Sequence, residues 1–271
     1  MADLSLPAGP FAPGDFRVGR AFSRAWSVFW RNILKFSLVG GVPSLPTLLF
    51  SRPGAANPLA NPQLIFLGLA LMILLNLLAQ AIIFHGTFQY MRRRPVNLSE
   101  GVRVGLRRFF PLIGLGLVWL LVVLGLALIT GLLVSMPVVN FATPLMVIAF
   151  VILLLTWLMA APACVVERTG PFRSLGRSGE LTEDHRWKIL GLLLLALIPA
   201  FIVGAIVGGV AGAITVLAPM GDLSTAVAQT IVLIWRAMWL AFLAVIFVVA
   251  YHDLRVAKEG IDTDGIVEVF E

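Results

Sequence analysis

Charge is scarce in this sequence, and cysteine scarcer still. Charged residues make up 13% of the 271, about half the ~25% of an ordinary soluble domain, while hydrophobic residues reach 59%. The one cysteine, Cys164, ends an apolar run, which excludes an intrachain disulfide and fits a small buried hydrophobe. The sequence lacks a glycine-rich phosphate loop, a Gly-x-Ser-x-Gly elbow, a His-Glu-x-x-His pair and paired cysteines. Catalysis therefore finds no support in it, and no cofactor or metal is expected. Residues 1–15 carry no Lys or Arg, and the charged stretch after them is wrong for a signal-peptide n-region. The first apolar segment is accordingly expected to be retained.

What the sequence does have is long apolar runs, at about 33–51, 64–90, 111–136, 141–166, 188–218 and 226–252. Each is near the ~20 residues needed to cross a bilayer, and the mean hydropathy is +0.98. The expected fold is an all-α membrane protein of six transmembrane helices arranged as three hairpins, each preceded by an amphipathic cytoplasmic interfacial helix. Residues 1–32 would form a tail and the first interfacial helix, 33–252 the membrane domain, and 253–271 a cytoplasmic tail.

Eighteen of the twenty basic residues fall on one side of this layout. Arg17, Arg20, Arg24, Arg31 and Lys35 lie at the start of the first span. Arg92, Arg93, Arg94, Arg103, Arg107 and Arg108 link spans two and three. Arg168, Arg173, Arg177, Arg186 and Lys188 link four and five, and Arg255 and Lys258 come after the last. Arg52 alone lies on the other side, and Arg236 lies within a span. The positive-inside rule then places both termini in the cytoplasm. The net charge of +6 would permit nucleic acid as a partner, but the clusters flank apolar runs, where they meet anionic headgroups instead.

The basic segments are amphipathic. Val18, Phe22, Ala25, Trp26 and Phe29 share one helical face, opposite Arg17, Arg20, Arg24 and Arg31, as in a helix lying in the headgroup layer. Asn97 and Glu100 have capping-box spacing ahead of a Leu98, Val102, Leu106, Phe109 stripe. Thr182, followed by Glu183 and Asp184, reads as a cap for the fifth span. Asn32-Ile33-Leu34, Pro111-Leu112-Ile113 and Lys188-Ile189-Leu190 recur at roughly 77–78 residues, the spacing of a threefold repeat.

Arg236 is the most informative residue, about ten residues into the sixth span. An arginine at that depth costs several kcal/mol unless it faces the bundle interior, water or a partner. Asn76, Gln80 and Thr156 are candidate partners, and Trp235 and Trp239 flank it for stacking. This set points to a lipid- or anion-binding cavity, or else to a tie between helices. A second polar set at the basic ends includes His85, Gln89, Glu167, Tyr251, His252 and Asp253. Its histidines and carboxylates could hold a metal, relay protons or anchor helix ends. Gly204, Gly208 and Gly212 form GxxxG steps, suited to packing inside the bundle or to an oligomer contact. Pro43, Pro46 and Pro199 predict kinks.

Two stretches carry a family likeness. Ser174-Leu175-Gly176-Arg177-Ser178, leading to Leu181-Thr182 and Arg186-Trp187-Lys188-Ile189-Leu190-Gly191-Leu192, is one. Tyr251-His252-Asp253-Leu254-Arg255-Val256-Ala257-Lys258-Glu259-Gly260-Ile261-Asp262 is the other. Together they resemble the membrane domain attached to some bacterial glycerophosphoryl diester phosphodiesterases, which also occurs alone. The resemblance implies a multi-pass protein of the bacterial inner membrane. It does not carry hydrolysis, which in the fused proteins belongs to a separate soluble barrel marked by His-Arg-Gly. Here His185-Arg186 is followed by Trp187. The expected role is a non-enzymatic protein that engages phospholipids, with a protein partner or a second copy of itself. The alternatives are a transporter or flippase working at Arg236 and an intramembrane lipid phosphodiesterase.

Overall fold

The structure, a computed structural model, describes residues 16–50, 62–133, 139–217 and 221–259. All regular elements among them are helical. In order they are α1 (Val18–Arg31), α2 (Ile33–Gly41), a 3-10 turn (Val42–Ser44), α3 (Leu45–Phe50), α4 (Pro62–Met91) and α5 (Leu98–Leu133). Then come α6 (Val139–Trp157), α7 (Ala160–Val166), α8 (Pro171–Thr182), α9 (Arg186–Leu217) and α10 (Asp222–Glu259). Five stretches are long and apolar enough to cross a membrane: α4, α5, Thr143–Val166 across α6 and α7, α9, and α10.

The first apolar run is helical in three short pieces. Pro43 and Pro46 remove backbone donors within a few residues, and the chain answers with the 3-10 turn between α2 and α3. The tip of this first expected hairpin, residues 51–61, lies outside the described residues, as do residues 1–15 and 260–271.

Helix α10 is the axis of the molecule and packs on α1, α2, α4, α8 and α9, while α5 lies across α4, α7, α6 and α8. Two crossings bring backbones together through glycine. A Cβ on Gly40 of α2 would press into the Ala237 carbonyl oxygen of α10. On α5, Gly101 and Gly105 are four residues apart, and a Cβ on each would meet Ile82 at 3.0 Å and Leu78 at 2.9 Å on α4. This pair is a GxxxG contact inside the fold. Gly208, Gly209 and Gly212 on α9 face open space instead, and Gly204 lies against the Trp235 indole.

The second and third amphipathic segments differ in form. The second does not lie apart on the surface. Leu98–Leu133 is one helix of 36 residues that carries the stripe straight through Pro111 into the apolar run, because no chain break separates the stripe from that run. The third is a separate helix, α8. Buried side chains concentrate where α1, α7, α8 and the ends of α4 and α10 meet, from Phe16 through Tyr251 and Leu254. The opposite halves of α5, α6 and α9 leave Leu121, Leu132, Leu145, Phe201 and Leu217 exposed, a surface suited to acyl chains.

Candidate functional site

The links 92–97 and 167–170, the start of α9 and the end of α10 gather at one end of the bundle together with α1, and this is the basic end. Its geometry begins at a helix break. Leu158 and Met159 interrupt the run between α6 and α7, which frees backbone groups that must be satisfied elsewhere. Ser178 of α8 supplies both needs: its hydroxyl donates to the Thr156 carbonyl at 2.6 Å and accepts from the Met159 amide at 3.1 Å. The Thr182 hydroxyl donates to the same carbonyl at 3.3 Å and to Ser178 O at 2.9 Å. Thr182 therefore closes α8 and staples it to α6, and it does not cap α9, which starts four residues later at Arg186. The Ser174, Ser178, Thr182 spacing puts all three on one buried face.

Docked this way, α8 presents Arg177 to a network of carboxylates. Arg177 Nε donates to Glu167 Oε1 at 3.0 Å, Nη1 to Glu180 at 3.4 Å, and Nη2 pairs with Glu259 of α10. The Tyr251 hydroxyl donates to the same Glu167 oxygen at 2.5 Å. Lys258 pairs with Asp184 at 3.0 Å and caps the Glu180 carbonyl, and Arg255 closes on Glu259 at 2.8 Å. Partial burial pushes the Glu167 carboxyl up. The hydrogen bonds from Tyr251 and Arg177, with the charges of Arg177 and Arg255, outweigh it and hold the group below the usual glutamate range. A cleft of about 470 Å³ beside this network is lined by Glu167, Arg173, Gly176, Arg177 and Glu180.

The other expected polar residues divide into separate pairings. His252 Nδ1 lies 3.5 Å from Asp253, whose carboxylate accepts from Arg24 of α1 at 2.7 Å. His85 lies 3.7 Å from Glu100. Glu167 belongs to the Arg177 network. Among the described residues, no three His, Cys, Asp or Glu side chains converge as a metal would need. Asn97 does cap α5, accepting from the Ser99 amide at 3.1 Å, while Glu100 turns away to Gln89 at 2.7 Å. Gln89 in turn accepts from the Asn97 amide, so the reciprocal half of the capping box comes from α4.

Of the basic side chains, Arg17, Arg31, Arg103, Arg107, Arg173 and Lys188 are exposed, and Arg20 and Arg186 are half-buried. Arg108 donates to the Arg168 carbonyl at 3.1 Å. Beside these lie Trp30, Phe110, Phe172 and Trp187, all exposed. Periodicity passes over them because they fall outside each apolar stripe, and only their adjacency to arginine or lysine marks them.

Arg236 lines a different cleft, of about 370 Å³, on the far half of α10. Its polar companions there are Ser44, Thr47, Thr215 and Gln229. Asn76 and Gln80 are half-buried on α4 and do not line this cleft, and Thr156 spends its hydroxyl on the Ile152 carbonyl. Trp235 and Trp239 stack on each other, 6.4 Å between centroids and 10° from parallel.

Fold and site together define a class, the multi-pass helical membrane protein, whose ion pairs among the described residues gather at one end. In comparisons with protein-family models, curated proteins and solved structures, nothing matches this chain.

Proposed function

We propose that this is a non-catalytic integral protein of a bacterial inner membrane that holds phospholipid headgroups at its basic end, in a membrane-organising or accessory role. One observation carries the reading. Each basic segment sets large exposed aromatics beside exposed cations. Trp26 and Trp30 (47% exposed each) accompany Arg31, Phe110 (80%) follows Arg107, and Phe172 (77%) and Trp187 (81%) adjoin Arg173 and Lys188. Exposed aromatic rings beside cations match the composition of a headgroup layer.

Backbone strain points the same way. Arg93 and Arg168 hold left-handed conformations, with φ of 56° and 57°, where glycine is the favoured residue. Both guanidinium groups are exposed, so a conformational cost is borne to keep a charge at each link.

The reading includes six traverses with both termini in the cytoplasm. Arg24 ties α1 to the basic end, and α2 and the 3-10 turn run along α10 from there to the Arg236 cleft, which supports a first traverse. The two family-like stretches also touch, through Arg177 with Glu259 and Asp184 with Lys258. That supports reading them as one unit of the glycerophosphodiesterase-associated membrane domain.

The test uses vesicles in which either phosphatidylglycerol or phosphatidylcholine is brominated. Tryptophan quenching is expected to be stronger with brominated phosphatidylglycerol. Replacing Arg107, Arg173 and Lys188 together by Gln should reduce that preference, each charge contributing about 1 kcal/mol. Equal quenching by the two lipids in the wild type would overturn the proposal.

A further inference from the structure

The far-half cleft lies well away from the basic end. Arg236 precedes Glu259 by 23 residues of one continuous helix, roughly 35 Å along its axis. The cleft is walled by the 3-10 turn and α3 on one side, α9 on another and α10 on the third. Among the described residues no carboxylate lines it, and Arg236 is exposed within it. An arginine at this depth calls for a compensating anion, a water-filled recess or acceptors from neighbouring helices. The described walls offer hydroxyl and amide groups but no opposite charge.

A second feature lies in the same wall. Ser44 is 2% exposed, lines the cleft, and its hydroxyl has no hydrogen-bond partner among the described residues. Buried hydroxyls without a partner are uncommon, because the lost hydration is not replaced. The Thr47 and Thr215 hydroxyls, by contrast, donate to the Ser44 and Gly212 carbonyls at 2.6 and 2.7 Å. The Ser44 hydroxyl is thus a buried donor without a partner in the wall of the cleft, where the helix is broken by Pro43 and Pro46. Donors from a broken helix set against a cation make an anion site.

The walls narrow the anion further. Val232, Leu233 and Ala211 line the rest of the recess, and Leu217 and Ile234 nearby are exposed. A volume of about 370 Å³ exceeds what a halide fills and lies within the range of ordinary small-ligand pockets. We infer that this cleft binds the phosphate group of an amphiphile, with Arg236 as the bidentate partner, Ser44 and Gln229 as further hydrogen-bonding groups, and acyl chains on the apolar flank. The site does not rest on the basic-end reading, and it uses none of the same residues.

The experiment titrates the purified full chain, in maltoside micelles free of phosphate, with phosphatidylglycerol and separately with inorganic phosphate, followed by calorimetry. The variants are R236Q and G212L. Gly212 lines the cleft, and a Cβ there meets no neighbour within 4 Å, so leucine fills the space and leaves the arginine in place. The control is G125L, on α5, where a Cβ also meets nothing. The expected result is a saturable lipid-binding component that weakens about tenfold or more in R236Q and G212L and is unchanged in G125L. Inorganic phosphate should bind far more weakly, because it lacks the chains. Tight binding of inorganic phosphate that excludes the lipid would overturn the amphiphile and assign a free anion. Wild-type titrations in both cleft variants, or an equal loss in G125L, would overturn the site itself.

Discussion

Arg24 on the first described helix donates to Asp253 near the end of the last, at 2.7 Å, and so joins elements 229 residues apart. Asp253 is 5% exposed on its side chain and Arg24 27%. The two partners are therefore unequal: an arginine that loses its carboxylate can reach water, whereas the carboxylate cannot. Arg24→Gln is expected to cost about 2–4 kcal/mol, because it strands a buried charge. Asp253→Asn should cost less, since it removes the buried charge altogether. Thermal unfolding of both variants in one detergent checks the order, and the reverse order would show that Arg24 works through other contacts.

The Glu167 carboxyl is held below the ordinary glutamate range by Tyr251 and Arg177. A group whose folded pKa is depressed contributes stability that is complete above its unfolded value, near 4.3, and is lost as pH falls through the lower folded value. The melting temperature is thus expected to hold from neutral pH down to that range and to drop below it. Tyr251→Phe removes one of the hydrogen bonds that lower the pKa, so the loss should be smaller and end at higher pH. Glu167→Gln should remove this contribution, leaving a lower and flatter profile. A set of melts between about pH 3 and 7 separates the three curves.

Glycine substitutions should divide by what surrounds them. Gly40→Ala forces a methyl group onto the Ala237 carbonyl, which is backbone and cannot swing aside. The crossing of α2 over α10 must open, at about 1–3 kcal/mol. Gly208→Ala meets nothing and should stabilise α9 by up to about 1 kcal/mol through helix propensity. If Gly208→Ala instead disrupts a dimer, the glycine face of α9 is a contact between copies, which size-exclusion with light scattering would read.

Arg93→Gly relaxes a left-handed backbone while deleting a cation. Stability is expected to rise by about 1 kcal/mol, and preference for anionic lipid to fall. A variant that is both more stable and less selective is the signature of strain kept for charge; loss of stability would mean that the guanidinium makes contacts that outweigh the strain.

Much of this arrangement can be read before folding, for identifiable reasons. The lopsided Lys/Arg distribution marks the basic end because it reflects a bilayer and not a tertiary contact. Asn97 is legible as a cap because capping is local. The break at Leu158–Met159 is not, since nothing in those residues disfavours a helix. The compensation comes from Ser178, 22 residues beyond Thr156. Thr182 misleads for the same reason: its hydroxyl has a distant partner that outcompetes the local cap. Depth alone suggests Asn76 and Gln80 as companions for Arg236. Which helices adjoin α10 at that depth depends on the turn at Pro43, and that turn brings in Ser44 and Thr47. One wall of that cleft is made by a segment expected as a span kinked at Pro43 and Pro46.

That segment also provides the sharpest test of topology. Cys164, the only cysteine, is buried, so a Cys164→Ala background should fold and accept single cysteines elsewhere. Ser99 and Glu183 are exposed at the basic end, and Asp222 is exposed at the other. In right-side-out vesicles an impermeant maleimide is expected to label cysteine at 222 and to spare 99 and 183, with the pattern reversed in inverted vesicles. Cysteine at Gly19 reads the first traverse. If the stretch between α1 and α4 crosses the bilayer, 19 labels with 99 and 183, as its neighbour Arg24 and the Asp253 contact require. If 19 labels with 222, the chain crosses five times, and the Arg24–Asp253 pair cannot form in the membrane.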